Sequence, residues 1–199
     1  MVNFHIGIGR SDVHLMGLPG CVFLTDDANG TLCVYSQPNN IAGSIRNVSV
    51  RGIKFVVKND GVNFHEFLHT VKTCGVNGVT IENCEFDDFW GDAICLSHYG
   101  DTPSTGERTR NSNVIIKNNK ITGGSHHSNR NGISIVSGED VLVESNVIIN
   151  TSRRDMPGAI DVEPNNTAYT INRITIRNNT IRDCKGTAGG ICIHSTKGG

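Results

Sequence analysis

Short apolar segments recur along the chain with one alternation of apolar and polar residues. In the segment 141–148, VLVESNVI, Val141 and Val143 are separated by one residue, and a Ser-Asn pair precedes a second apolar pair. Alternate side chains of an extended strand point to opposite faces, so this pattern predicts two short strands joined by a tight turn. Four further segments share the pattern and begin at Val48, Val79, Val114 and Ile174.

A second type of strand repeats beside the first. Its copies are Ala93–Ser97, Gly132–Val136, Ala159–Glu163 and Gly190–His194. Starts of the first type are separated by 31, 35, 27 and 33 residues, which is typical of repeat architectures. One such unit cannot bury its apolar face alone, so successive units must stack. The pattern predicts an all-β fold, a right-handed parallel β-helix of about five to six coils, in which the unequal spacing places insertions in loops.

The repeats give the expected domain organisation. We expect one β-helix domain over residues 1–199, with a less regular part over 1–43 and regular coils over 44–195. The less regular part contains short strand candidates near Phe4, Val13, Cys21 and Leu32. The sequence of the segment 62–71 fits either a strand or a helical turn. Solenoids normally carry caps and none is visible, so we expect a fragment of a longer chain, truncated at both ends.

Stacking the repeats in register arranges certain residues in columns. One outward column is Cys95, Ser134, Asp161 and Cys192, and a second is Ser97, Val136, Glu163 and His194. A turn column holds Asn119, Asn146 and Asn179. Asparagine tolerates left-handed backbone and bonds to its own chain, so the turn column predicts an asparagine ladder.

Charge and cysteine usage narrow the function classes. The formal net charge is −1, so no basic field for nucleic acid is present. The seven cysteines include no CxxC pair, and we interpret them as reduced, packed thiols instead of metal ligands. No cofactor or metal is expected, and no apolar run suggests membrane insertion.

The best candidate for chemistry is the pair Asp161 and Glu163, two residues apart on one strand. Both are expected to face outward with Cα atoms ~6.5–7 Å apart. Such carboxyls serve as acid and base in glycosidic cleavage, although a solvated acidic patch explains them equally well. Asp92 and Asp155, in loops that lead into these strands, are further candidate catalytic carboxylates.

Candidate substrate-binding residues surround the acidic pair. Arg130 and Arg154 suit an anionic sugar, and His194 is expected one coil beyond Glu163. Trp90 offers either a sugar-stacking face or a core anchor for its loop. The remaining candidates are Tyr99, His126 and Asn165. The His126-His127 pair is not expected to bind metal, because adjacent side chains point apart on a strand.

Three segments carry a family resemblance. RNGISI at 130–135, RRDMPGAIDVEPN at 153–165 and FDDFWGDAI at 86–94 resemble the pectate-lyase-like parallel β-helix proteins, in particular the tailspike and preneck-appendage proteins of tailed phages and their bacterial relatives. The resemblance covers about residues 44–195 and includes no sign of the paired aspartate calcium ligands of true pectate lyases.

The resemblance implies a function at a cell surface. It suggests a homotrimer in a phage tail or appendage, synthesised in the host cytoplasm, that binds and cleaves a cell-surface polysaccharide or teichoic acid as a hydrolase or lyase. A secreted bacterial polysaccharide-degrading enzyme is an alternative setting. A non-catalytic receptor-binding adhesin and a structural β-helix stalk are the alternatives that use the same scaffold without turnover.

Overall fold

The fold is built from short parallel strands that return to the same three sheets in turn. The computed structural model describes residues 5–25, 31–35, 45–98, 110–124, 127–165 and 169–194, and these contain nineteen strands. Each strand pairs in parallel with the strands three places before and after it in chain order. The chain therefore passes through a first, second and third sheet once per coil.

The strand bounds follow this three-fold order. The first sheet contains β1 (His5–Ile8), β4 (Thr31–Tyr35), β7 (Val71–Cys74), β10 (Ile94–Ser97), β13 (Ile133–Ile135), β16 (Gly158–Val162) and β19 (Gly189–Ile193). The second contains β2 (His14–Met16), β5 (Arg46–Arg51), β8 (Asn77–Glu82), β11 (Asn111–Lys117), β14 (Gly138–Glu144) and β17 (Ile171–Arg177). The third contains β3 (Val22–Thr25), β6 (Lys54–Val57), β9 (Glu85–Asp87), β12 (Lys120–Thr122), β15 (Val147–Ile149) and β18 (Thr180–Arg182).

The sequence repeats match the observed register, and the predicted all-β parallel β-helix is confirmed. Residues at the starts of the five copies, Val48, Val79, Val114, Val141 and Ile174, are direct partners on neighbouring strands of the second sheet. The first four of these side chains are almost fully buried. Burying each such side chain contributes about 1.5–3 kcal/mol, which explains why the apolar positions recur in every coil.

An aromatic and aliphatic column fills the corner beneath the third sheet. Phe55 and Phe86 are register partners, and their rings stack with centroids 5.1 Å apart. The column continues through Ile121 and Ile148, and all four side chains are buried. The interior is therefore a continuous apolar core along the helix axis.

The turn between the second and third sheets carries the asparagine ladder, which confirms that prediction. The Nδ2 atom of Asn119 donates to Oδ1 of Asn146, and Nδ2 of Asn146 donates to Oδ1 of Asn179, both at 3.0 Å. The left-handed residues are those just before the ladder, with φ of 55° at Asn118 and 56° at Ser145. The ladder asparagines contribute side-chain hydrogen bonds, and their predecessors take the left-handed conformation.

Sequence reasoning left two parts of the chain less defined. Strands β1 to β4 lie in the less regular part and join the three sheets with the later coils. Segment 62–70 contains no strand or helix, and β7 begins at Val71. Neither alternative for 62–71 holds over its full length, because its first nine residues form a loop over the first sheet.

Candidate functional site

The outward face of the first sheet is covered instead of solvated. Ser134 and Asp161 point away from the interior, in register with each other, yet both are buried. Tyr169, which follows β16, packs with Cys95 and Val136 on this face. The Nδ2 atom of Asn131 lies over the same face and donates to Oγ of Ser134 at 3.1 Å. Loops between the strands therefore enclose a second, polar layer outside the coil.

Arg130 is the centre of this polar layer. It precedes β13, and its Nη1 donates to Oδ2 of Asp92 at 3.0 Å while its Nη2 donates to Oε2 of Glu163 at 3.3 Å. Its Nε lies 3.8 Å from a carboxylate oxygen of Glu66. Arg130 thus joins three carboxylates from three separate loops or strands. Its charge, for which an anionic sugar is the predicted partner, is partly neutralised within the protein.

His69 and Asp92 form a buried pair beside Arg130. The Nδ1 atom of His69 lies 3.1 Å from Oδ2 of Asp92, and the side chains are 5% and 0% exposed. Burial favours neutral forms, but the charges of Arg130 and His69 hold the pKa of Asp92 below its ordinary value. Against its own burial, the neighbouring Cys95 and Asp92 side chains raise the pKa of His69 to about 10. Both shifts favour the ionised form of the pair.

A glycine makes this pair possible. A Cβ atom on Gly91 would lie 2.8 Å from the carbonyl oxygen of Glu66 and 3.1 Å from Nδ1 of His69. The absence of that atom lets the loop that carries Glu66 and His69 approach the strand entrance at Asp92. The Trp-Gly-Asp sequence at 90–92 is consequently needed for packing, in addition to any role in chemistry.

Asp161 and Glu163 occupy different environments, although they are two residues apart. Asp161 is fully buried, whereas the Glu163 side chain is 30% exposed. Burial raises the pKa of Asp161 to about 8, and the neighbouring Glu163 charge adds to this shift. Only Glu163 of the pair lines the adjoining cleft. The expectation that both carboxyls face solvent is wrong for Asp161, because covering loops bury its outward side chain.

A cleft of about 1010 Å³ runs along the covered face of the first sheet. Its lining brings together residues from coils that are far apart in sequence, including Tyr35, Lys72, Arg130, Glu163 and Asn165. Charged, polar and aromatic groups share the wall. A groove of this size and mixed lining is typical of ligand-binding sites.

The other predicted residues fall in several places. Asp155 and Asn165 are exposed and line the cleft, and the hydrogen bond from Arg153 holds the pKa of Asp155 below its usual range. Arg154 lines a separate depression instead. Trp90 is only 5% exposed and packs edge-on against His65 at 4.7 Å. Trp90 is therefore a loop anchor and offers no open face to a sugar. Tyr99 and His126 lie outside the described residues.

His194 lies where the register placed it, one coil beyond Glu163. Its backbone N–H donates to the carbonyl of Val162 at 2.9 Å, continuing the pairing in which Asp161 opposes Cys192. All seven cysteines are free, as predicted, but only Cys74, Cys84 and Cys95 are buried, so the expected core packing holds for these three alone. In the described part of the chain, two groups bring metal-binding atoms within 4.8 Å of one another: His69 with Asp92 and Cys95, and Asp161 with Cys192 and His194.

Sequence reasoning missed His69, Glu66 and Lys72. The available signal was spacing: Val71 precedes Val79 by eight residues, as Ile133 precedes Val141, and Val71 and Ile133 occupy equivalent positions on either side of Ile94. That offset would have identified β7 as a first-sheet strand. It would also have placed His69 and Lys72 at the beginning of this strand, beside Asp92.

Three parallel sheets around one apolar core, with a cleft on the outer face of the first sheet, define a β-solenoid protein with a surface groove. The family model described as the right-handed beta helix region matches residues 29–199. The chain belongs to this family. Neither a search of curated proteins nor a search of solved structures gave a significant match. The described part of the chain has no helix with the length and apolarity required to cross a membrane.

Proposed function

We propose that the chain binds a cell-surface polysaccharide or teichoic acid in the cleft of the first sheet and hydrolyses it there. One observation carries this proposal: Glu163, held by Arg130, forms part of the cleft wall directly beside the buried carboxyl of Asp161. The right-handed β-helix fold is compatible with polysaccharide binding or degradation, and so supports the proposal at the level of the scaffold.

The cleft supplies the two carboxyl roles that glycosidic hydrolysis requires. One carboxylic acid protonates the leaving oxygen, and a carboxylate activates water or attacks the sugar. Glu163 is the member of the inner pair that a substrate can touch, with Asp161 behind it as a positioning residue. Asp155, kept ionised by Arg153, is the second carboxylate on the wall.

The test is Glu163→Gln, assayed with the full chain on a panel of purified surface polysaccharides and teichoic acids. New reducing ends report hydrolysis, and absorbance from unsaturated sugars reports elimination. We expect the variant to lose about 10²–10⁴-fold in the rate of reducing-end formation. The matched control is Glu144→Gln, because Glu144 pairs with Arg177 on the second sheet.

Three results are informative. Unchanged turnover in Glu163→Gln, with thermal unfolding intact, contradicts the proposed site. Reducing ends accompanied by unsaturated-sugar absorbance contradict hydrolysis and favour a lyase. Loss of turnover in Glu144→Gln as well would mean that activity follows stability and not the cleft.

A receptor-binding module without turnover is the second candidate function. The observation that favours it is the complete burial of Asp161, which leaves only Glu163 of the inner pair in contact with a ligand. This candidate predicts saturable glycan binding with unchanged glycan length. It also predicts weaker binding in Asn165→Ala, because Asn165 is exposed on the cleft wall and makes no contribution to the Arg130 cluster.

The setting is also a proposal. Its support is the sequence resemblance to tailspike and appendage proteins, which favours a homotrimer in a virion over a secreted bacterial enzyme. Light scattering on the purified chain tests the trimer, and a monomer at all concentrations contradicts it. Absence of both glycan binding and cleavage across the panel would leave the structural stalk as the remaining function.

A further inference from the structure

A second constellation lies beyond Glu163, where β16 and β19 are neighbours. Asp161 and Cys192 are direct register partners, and His194 follows two residues after Cys192, so the three side chains share one face. The Sγ atom of Cys192 lies 2.9 Å from Nε2 of His194, which in turn lies 3.8 Å from Oδ1 of Asp161. One oxygen, one nitrogen and one sulfur donor therefore converge within 4.8 Å.

The oxygen donor is unusual because no atom of the described residues donates a hydrogen bond to it. Asp161 is fully buried, and its Oδ1 atom has no hydrogen-bond partner. Its other oxygen accepts from Nδ2 of Asn131 at 3.4 Å. A buried oxygen without a partner destabilises the fold. The unpartnered atom is the one that faces His194.

We propose that Asp161, Cys192 and His194 bind one divalent cation of the zinc class. Thiolate, imidazole and carboxylate are the three side-chain donors that Zn²⁺ combines in proteins. Calcium and magnesium favour sites built from oxygen alone, so the sulfur and nitrogen donors select against them. With three protein ligands, the fourth tetrahedral position remains for water or for a group from a substrate.

The surroundings suit a cation. His194 is exposed and Cys192 is partly exposed, so the site has a route from solvent. Glu163 lies on the same column of strand positions as His194 and adds a negative charge beside the site. Asn131 fixes the second oxygen of Asp161 and so acts as an outer-shell partner of the kind that orients a ligating carboxylate.

The group of His69, Asp92 and Cys95 is a weaker candidate for the same cation. Both oxygens of Asp92 already have donors, one from Arg130 at 3.0 Å and one from the backbone N–H of Asn131 at 3.0 Å. The guanidinium charge also sits against this carboxylate and repels a second cation. The unpartnered oxygen of Asp161 has neither feature, so the structure favours the site at β16 and β19.

A cation at this site is independent of the proposed glycan function, and it differs from the prediction that the protein has no cofactor. A carboxylate that ligates a cation cannot hold a proton at the same time. Occupancy would therefore change the pair that Asp161 forms with Glu163. Metal binding is measured without any glycan, so failure of the metal site and failure of the glycan site are separate results.

The experiment uses the full chain, reduced and freed of metal with a chelator. Titration with Co²⁺ is followed by thiolate-to-cobalt charge-transfer absorption, and Zn²⁺ affinity is obtained by calorimetry. We expect one ion per chain, with absorption that Zn²⁺ displaces. Cys192→Ser should abolish the absorption. Asp161→Asn and His194→Gln should each weaken affinity by more than the ~10–100-fold that loss of an outer-shell partner causes.

The controls are Cys95→Ser, in the buried group, and Cys184→Ser, a cysteine whose thiol contacts Thr151; both should bind as the parent does. Absence of thiolate absorption in the parent overturns the proposal. So does binding that survives Cys192→Ser but disappears in Cys95→Ser, which would assign the ion to the other group. Unchanged affinity in a folded Asp161→Asn overturns the role of the buried oxygen, and thermal unfolding of each variant checks that it is folded.

Discussion

The turn between the second and third sheets and the outward face of the first sheet are both stacks of one residue per coil. In the turn, each asparagine repeats the bonds of its neighbour, so that Asn146 receives from Asn119 and donates to Asn179. On the outward face, the column Cys95, Ser134, Asp161 and Cys192 changes chemistry at every step. The asparagines of the turn supply hydrogen bonds to one another. The outward column does not, and one carboxylate oxygen of Asp161 has no hydrogen-bond partner among the described residues.

The difference separates scaffold from candidate chemistry. A column that repeats supplies its own hydrogen bonds and needs nothing from outside the coil. A column that does not repeat depends on loops, and in this protein Asn131, from the segment before β13, bonds to both Ser134 and Asp161. In this fold we therefore expect functional sites on a sheet face where the side chains of one column differ from coil to coil.

The largest expected effect lies in the non-repeating region. Arg130→Gln removes the guanidinium between Asp92 and Glu163 and leaves the fully buried Asp92 with less compensation. We expect the free energy of unfolding at pH 7 to fall by about 3–5 kcal/mol, measured by denaturant titration. The control is Arg173→Gln, which removes exposed ion pairs to Glu139 and Asp140 and should change stability far less. Equal losses would mean that burial is not what makes Arg130 important.

The repeating region should give a somewhat smaller loss. Asn146→Ala removes the bond to the carbonyl of Ile116 and leaves the buried backbone N–H of Asn119 without its acceptor. We expect about 2–3 kcal/mol of destabilisation in the same titration. Asn179→Ala should lose less, because Asn179 is more exposed than Asn146. An equal or larger loss at Asn179 would contradict the importance of burial in the ladder.

The smallest expected effect depends on pH. The folded pKa of His69, about 10, exceeds its unfolded value of 6.5, so protonated His69 stabilises the fold fully below pH 6.5. That contribution is lost progressively as pH rises to about 10. Asp92, Cys95 and Arg130 are the charged or titratable groups that influence this equilibrium.

The corresponding variant is His69→Gln, studied by thermal unfolding across pH 6–10. At pH 7 we expect it to be less stable than the parent, with the difference shrinking toward pH 10. A difference that stays constant with pH would show that packing of the ring, and not its charge, stabilises the pair with Asp92. The measurement therefore separates the contribution of the His69 charge to stability from the contribution of the packing of its ring.

Much of the scaffold could be predicted from the sequence. The alternation at Val79, Val114 and Val141 fixes which face is buried, and the spacing between copies fixes the register. The register then places Asp161 next to Cys192 and His194 one coil beyond Glu163. These relations follow from local chain geometry, because a strand alternates with period two and parallel neighbours lie ~4.8 Å apart.

The candidate site was only partly predictable. Asp161, Glu163 and Arg130 were identified as residues, but the burial of Asp161 and the pairing of Arg130 with Asp92 were not. His69 was missed, because it lies in a loop that occurs once, although the eight-residue offset between Val71 and Val79 marks the strand that follows it. Trp90 was predicted to be either a sugar-stacking surface or a core anchor for its loop. Its packing against His65 shows that it anchors the loop. Each of these outcomes depends on how loops from different coils cover one face.

The sequence by itself determined the coil, its register and the stacked columns, because each depends on a pattern that neighbouring residues set and successive copies repeat. Only the tertiary structure decided which outward side chains meet solvent, which are ionised and which are left without a partner. Those properties are set by the dielectric surroundings and by the charges of groups distant in sequence, such as Arg130 beside Asp92. No local pattern encodes a contact between two loops that each occur only once in the chain.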